Sequence, residues 1–276
     1  MRYIRKTCFV INILFIINIV IVSANANIFI TPKRILINEK MRFSEVQVSS
    51  RSDKPKSYIV KLVNYEMNEK GELFKNNNME NSAKKFIRYS PRKITIKPNE
   101  TRVIRIISKA PNNLEEGGYH THIELQEVAF QGVKKVKKEV EAPLSFEVHS
   151  EYNIAIPIIF SKGKLENKVQ LEKVEKKLDN SRVKGSIEIH LKNDSNFTNY
   201  NLVKIEYFDS ENKSYEIIAP SRIAMYREIK SISRVFNIKA PENVKFKKGG
   251  EFVISLLADD LNQIDNVLSY KKLSIQ

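Results

Sequence analysis

The run LSFEVHSEYNIAIPIIF, residues 144–160, alternates its chemistry for longer than an ordinary strand does. Leu144, Phe146, Val148, Ser150, Tyr152, Ile154, Ile156, Ile158 and Phe160 form one mostly apolar set, while Ser145, Glu147, His149, Glu151 and Asn153 fall between them. A period of two is the signature of a β-strand with one apolar face. Globular strands usually stop after roughly 5 or 6 residues, whereas this run, fully extended, would span roughly 56 Å at ~3.3 Å per residue. An exposed edge with such a face is an aggregation hazard unless something pairs with it. It can also serve a partner by β-augmentation, in which main-chain hydrogen bonds supply affinity and alternate side chains fill a groove. The competing reading is a strand that passes from one sandwich into the next and is core in both. Pro157 cannot donate a ladder hydrogen bond, so regular pairing is expected to end near it and the strand to bend there.

The rest of the chain obeys the same period. FSEVQVSS, SYIVKLVNYEM, KITIKP, TRVIRIIS and GGYHTHIELQEV are short alternating runs, punctuated by Asp53-Lys54-Pro55, Pro98-Asn99-Glu100 and Gly117-Gly118. FITPKRILI reads as a single opening strand. Strands at roughly 8–12-residue spacing with turns between them indicate antiparallel sandwiches. About seven strands precede Phe160, and about seven more, from VQLEKVE to VLSYKKLSI, follow Ser161-Lys162-Gly163-Lys164. The expected fold is all-β, with two immunoglobulin-like sandwiches in tandem and a cleft between them. The expected limits are 27–160 for the first domain, with its long strand over 142–158, and 165–276 for the second. The polar, patternless segment 76–86 reads as a loop.

Arg2, Arg5 and Lys6, the apolar stretch from Phe9 to Val22 and the small-x-small Ala24-Asn25-Ala26 have the form of a cleaved secretory signal over residues 1–26. Asn12 and Asn18 interrupt that stretch, which is short of the roughly 20 apolar residues a spanning helix needs. The single cysteine, Cys8, falls within the signal, so the exported chain has to be held by its core without disulfides. The formal net charge of +15 falls by about three units with the signal. Excess lysine suits acidic partners, but lysines are spread along the whole chain among many asparagines and isoleucines, as a compositional bias leaves them. No nucleic-acid partner is expected.

Catalytic constellations are missing: there is no Gly-x-Ser-x-Gly elbow, no phosphate-cradling glycine loop and no paired-cysteine motif. The reading is therefore non-enzymatic, without cofactor or metal. His120-x-His122-x-Glu124 places three ligand-type side chains on one strand face. It lacks the further spaced histidines of a zinc signature and reads instead as the wet face of a sandwich. Arg34, in ITPKRILI, interrupts the apolar set of the opening strand, and for a lone arginine the default is solvent exposure.

These segments resemble the periplasmic pilus-assembly chaperones of the chaperone–usher pathway. The resemblance covers most of residues 27–160 and rests on ITPKRILI, SYIVKLVNYEMNEKGEL, RYSPRKITIKPNETRVIRI, KAPNNLEEGGYHTHIEL and YNIAIPIIF. It implies a periplasmic chaperone that lends an edge strand to exported pilus or fimbrial subunits lacking their own last strand, until an outer-membrane usher takes the subunit. By position, the resemblance makes Leu144, Phe146 and Val148, with Ser150 a weaker contributor, the face that fills the subunit groove. It makes Arg34 a cation for the terminal carboxylate of the subunit. The chain departs from the family at the second cation, where it has Ala155 in place of a lysine. Either one arginine suffices, or another group such as Lys33 or His149 substitutes. It departs again at Ile159 and Phe160, where an arginine that helps fix the angle between the domains has no counterpart. A free edge also leaves open self-capping into dimers. Rival readings are a secreted two-sandwich structural or adhesion protein and a polyanion- or membrane-binding module working through Lys134, Lys135, Lys137 and Lys138.

Overall fold

The computed structural model describes residues 28–128, 153–259 and 266–276. The signal, the groove-filling face at Leu144, Phe146, Val148 and Ser150, His149, and the lysines at 134, 135, 137 and 138 lie outside the described residues. The first group of strands is β1 (Ile28–Thr31), β2 (Ile35–Asn38), β3 (Phe43–Ser50), β4 (Lys56–Val63), β5 (Tyr65–Met67), β6 (Leu73–Lys75), β7 (Ile87–Ser90), β8 (Lys93–Ile96), β9 (Thr101–Ser108), β10 (Gly117–Val128) and β11 (Asn153–Lys162). The second group is β12 (Val169–Leu178), β13 (Lys184–Asn193), β14 (Asn199–Phe208), β15 (Ser214–Met225), β16 (Ser231–Lys239), β17 (Glu251–Ala258) and β18 (Val267–Ser274).

Each group closes into a sandwich. In the first, the sheet β1-β3-β9-β7 faces the sheet β2-β11-β10-β4-β8, with β5 and β6 forming a small hairpin apart. In the second, β12-β13-β16 faces β15-β14-β17-β18. The period of two explains the packing. In β9, Ile104 and Ile106 are sealed while their neighbours Arg105 and Ile107 point to solvent. Val46 and Val48 of β3 join them against Ile123, Leu125, Ile156 and Ile158 from the facing sheet. The second core is built in the same way around Ile187, Ile189, Val203, Ile205 and Ile254. Burying such a side chain contributes about 1.5–3 kcal/mol, so disulfides are not needed to hold either sandwich.

Four sequence expectations change. FITPKRILI is not one strand: the chain bends over residues 32–34, so β1 pairs with β3 in one sheet and β2 with β11 in the other. Ile28 and Ile30 thereby pack on the first core from one sheet while Ile35 and Ile37 enter it from the other. Pairing does not end near Pro157. The ladder of β11 with β10 runs from Gln126↔Asn153 through His122↔Pro157 to Gly117↔Lys162. A proline can sit within a ladder only where its nitrogen faces away from the partner strand.

The polar segment 76–86 is not a plain surface loop. It contains a single 3-10 turn, Ala83–Lys85, and buries Met79, Ala83 and Phe86. Its two buried polar residues are bonded: Ser82 Oγ donates to Asn64 Oδ1 at 2.9 Å, and Asn81 Nδ2 to Glu228 at 2.9 Å. Finally, Gly117 and Gly118 do not punctuate the chain but begin β10. Gly118 lies so close to the second sandwich that a Cβ there would stand 2.8 Å from the Thr198 backbone nitrogen. Its own N–H donates to the Asn196 carbonyl at 2.8 Å.

Candidate functional site: the cleft between the sandwiches

The face of the β2-β11-β10-β4 sheet turned away from its own core is set by the same alternation. Ile35 and Ile37 point into the core, so Arg34 and Leu36 point the other way, toward the second sandwich. Arg34 sits at the end of the bend before β2 rather than on a strand. Its Nη1 donates to Asp259 Oδ2 at 2.5 Å, and its guanidinium lies 4.5 Å from the centre of the Tyr200 ring. Arg34 is thus engaged across the cleft, which overturns the default of an exposed charge.

Asp259 follows the end of β17 and takes a second arginine. Arg222 of β15 donates from Nε to Asp259 Oδ2 and from Nη2 to Oδ1, the latter at 3.3 Å. Burial alone would push the Asp259 carboxyl up, but the two guanidinium groups outweigh it and hold the acid below its usual range. Side-chain exposure grades across the cluster, from 7% at Asp259 and 14% at Arg34 to 53% at Arg222. Beside the cluster lies a cavity of about 640 Å³, lined among others by Arg34, Leu36, Met41, Leu165 and Tyr200. Lys33, the neighbour that could be confused with Arg34 by register, is exposed.

A second polar contact joins the two sandwiches through β10. His120, His122 and Glu124 share a face, as their spacing requires, but that face is buried. The second sandwich covers His120 and His122, and Tyr65, Lys61 and Lys75 of the first cover Glu124, which overturns the expectation of a wet face. Glu228 accepts from the Met67 backbone N–H at 3.2 Å, from the Asn81 amide at 2.9 Å and from His120 Nε2 at 3.1 Å. Burial would raise the Glu228 carboxyl, but the hydrogen bonds from His120 and Asn81 outweigh it and hold the group below its usual range. His122 Nε2 meets the Tyr226 hydroxyl at 3.1 Å. Burial pushes the His122 imidazole down to about 3, with the neighbouring His120 adding to the effect, so it is neutral near pH 7.

Glu124 is held within the first sandwich by the Tyr65 hydroxyl at 2.6 Å, Lys61 Nζ at 3.0 Å and Lys75 Nζ at 3.6 Å. The three side chains therefore serve packing and pairing and do not converge on one metal position. Glu175, Glu188 and His190 do lie close together, on β12 and β13, but Lys173 already sits on Glu175 at 2.7 Å. They belong to a ladder of ion pairs on an outer sheet face.

Ala155 pairs with Glu124, so the position at which the resemblance asks for a lysine stands beside a buried acid that has its own cations. Nor is the angle between the sandwiches held by an arginine after β11. Ile159 and Met67 are instead buried in the second sandwich's core cluster, and Arg234 of β16 donates to the carbonyls of Lys70 and Gly71. Sequence reasoning missed Arg222, Asp259 and Glu228, because nothing in their local patterns marks residues that meet only through the tertiary fold.

Among the described residues, one inner strand of this sheet is unpaired along part of one side. β2 covers β11 only from Ile158↔Ile35 to Ser161↔Asn38. From Asn153 to Pro157, β11 is paired with β10 on one side and with no described strand on the other.

Comparison with known proteins gives a uniform set of structural neighbours. No family model matches the chain, and no curated protein matches it. The pre-assembly complex CsuC-CsuE, from the archaic chaperone–usher Csu pili of Acinetobacter baumannii, contains a chain matched with a TM-score of 0.46 and 11% identity, over 91% of this chain and 98% of that one. A chain in the chaperone–tip adhesin complex of CFA/I fimbriae matches with a TM-score of 0.46 and 13% identity, over 90% and 98%. A chain in the complex of Salmonella enterica SafA pilin with the SafB chaperone matches with a TM-score of 0.43 and 9% identity, over 90% and 96%. This chain is similar to them across most of its length.

Proposed function

We propose that the chain is a periplasmic chaperone of the chaperone–usher pathway, which holds exported pilus or fimbrial subunits by donor-strand complementation and delivers them to an outer-membrane usher. Its domains on this reading are 27–160 and 165–276, after a cleaved signal over 1–26. The observation that carries the reading is the edge of β11 over Asn153–Pro157, which no described strand pairs, which leads back along the chain to the alternating residues 144–152 and which lies in the same sheet as β2, beside Arg34. An open edge offers main-chain donors and acceptors to an incoming strand. Leu144, Phe146, Val148 and Ser150 are the side chains assigned to the subunit's groove. Large side chains buried there contribute ~1.5–3 kcal/mol each, enough for a useful complex after ordering costs are subtracted. Arg34 is the cation assigned to the terminal carboxylate of the subunit. The sequence motifs of residues 27–160 support a binding protein.

The test is co-purification from a periplasm expressing the neighbouring exported proteins, read by mass spectrometry. Wild type is expected to capture a small β-rich exported protein, and Val148→Asp to lose it while both sandwiches stay folded. Equal capture by the variant would refute strand donation. A wild type that captures nothing would favour a secreted two-sandwich structural protein.

A further inference from the structure

Among the described residues, the cluster at the cleft mouth holds two guanidinium groups against one carboxylate. Arg34 engages a protein acceptor only through Nη1, and Arg222 only through Nε and Nη2, among the described residues. Both arginines therefore retain N–H donors, and guanidinium forks match carboxylate geometry. The adjoining cavity has an apolar side formed by Leu36, Met41 and Leu165, each of them exposed. A cationic corner beside exposed apolar walls suits the end of a peptide, with its terminal carboxylate on the arginines and its last side chains along the wall.

We propose that Arg222, supplied by the second sandwich, is the second cation of this carboxylate site, in place of the lysine missing at Ala155, and that Asp259 is a positioning residue that aligns the two guanidinium groups. The proposal deepens the chaperone reading and rests on it for the identity of the natural ligand, the carboxyl end of a pilus subunit. It places one cation on each sandwich, so a bound terminus touches both sandwiches at once.

A probe of defined chemistry tests the site without knowledge of the client. N-acetyl-Leu-Phe, as the free acid and as the C-terminal amide, is titrated into the isotope-labelled chain, and the arginine Nε–Hε resonances are followed by NMR. The acid is expected to shift the Arg34 and Arg222 signals together, and the amide to shift neither. Arg222→Gln should weaken acid binding roughly fivefold or more, as the loss of a partly exposed charge-assisted contact requires, and Arg222→Lys should recover part of it. If Arg222 only held the sandwiches together, its loss would not act selectively on the acid. Acid and amide behaving alike, an unshifted Arg222, or full acid affinity in Arg222→Gln would each overturn the proposal. Acid binding by a chain that captures no client in the co-purification would end the chaperone reading and leave the carboxylate site standing. Client capture lost with Val148→Asp, without discrimination between acid and amide, would do the reverse.

Discussion

Two carboxylates of the second sandwich are sunk against the first, and they are provided for differently. Glu228 is surrounded by a backbone N–H, an amide and an imidazole, each donating to it. Asp259 has two arginines, one of them half exposed, and together with Arg34 it lines a cavity. A satisfied buried network fixes geometry, because each partner becomes a costly orphan when another is removed. A cluster with open N–H donors is suited to receiving a ligand. The contrast separates the contact that sets how the sandwiches meet from the contact available to something else.

The sharpest way to break that contrast is at Glu228. Glu228→Ala would strand Met67 N–H, Asn81 and His120 together, and should cost about 2–4 kcal/mol in chemical denaturation. Binding of the acid probe at the cleft mouth should survive. If stability barely moved, the Glu228 network would not be what holds the contact.

Arg34→Ala should show the opposite balance, with at least tenfold weaker client binding, about 1.4 kcal/mol, for a subunit with a free C-terminus. Amidating that terminus should remove the difference between variant and wild type. An unaltered difference would show that Arg34 does not read the carboxylate.

Acid should distinguish the two contacts more finely. His122 is held down to about 3 against 6.5 for a free imidazole. As pH falls from about 6.5 toward 3, only the unfolded chain takes up that proton, so the folded state loses stability over this range. Glu228 and Asp259 are held below the usual carboxylate range, so their contribution is present above that range and is lost at lower pH still. Denaturation midpoints measured from pH 7.5 downward should therefore begin to fall near the free imidazole value. In His122→Gln the fall should start only at carboxylate pH. A variant that tracked wild type would remove His122 from the account.

How much of this was legible in the sequence depended on whether one strand face or two layers decided a residue's fate. The runs at 43–50, 101–108 and 117–128 became strands with the bounds the alternation gave, since each has one face on its own core. The all-β fold in two sandwiches followed from the same period. The even face of β10 was misread because a polar stripe looks alike whether water or a second sandwich lies over it. Arg34 could be picked out as an interruption, yet its partner lies 225 residues away. Arg222 sits in a strand whose sequence marks it as nothing but a surface cation. In 76–86, Asn81 and Ser82, polar residues that suggested a loop, are bonded inward and allow Met79 and Phe86 to be buried.

The placement of β11 bears on how the chain comes to be folded at all. It lies between β2 and β10, inside the first sandwich's larger sheet, although it follows β2 by well over a hundred residues. A chain that emerges from its amino end must present β2, β4, β8 and β10 while the slot between β2 and β10 is still vacant. During that interval the edge of β10 and the apolar residues Ile35 and Ile37 have no strand between them, the condition in which β proteins aggregate. On the function proposed, the chain passes through its own version of the vacancy that it would fill in others. Its remedy is internal: the strand that completes it is the continuation of the one it lends.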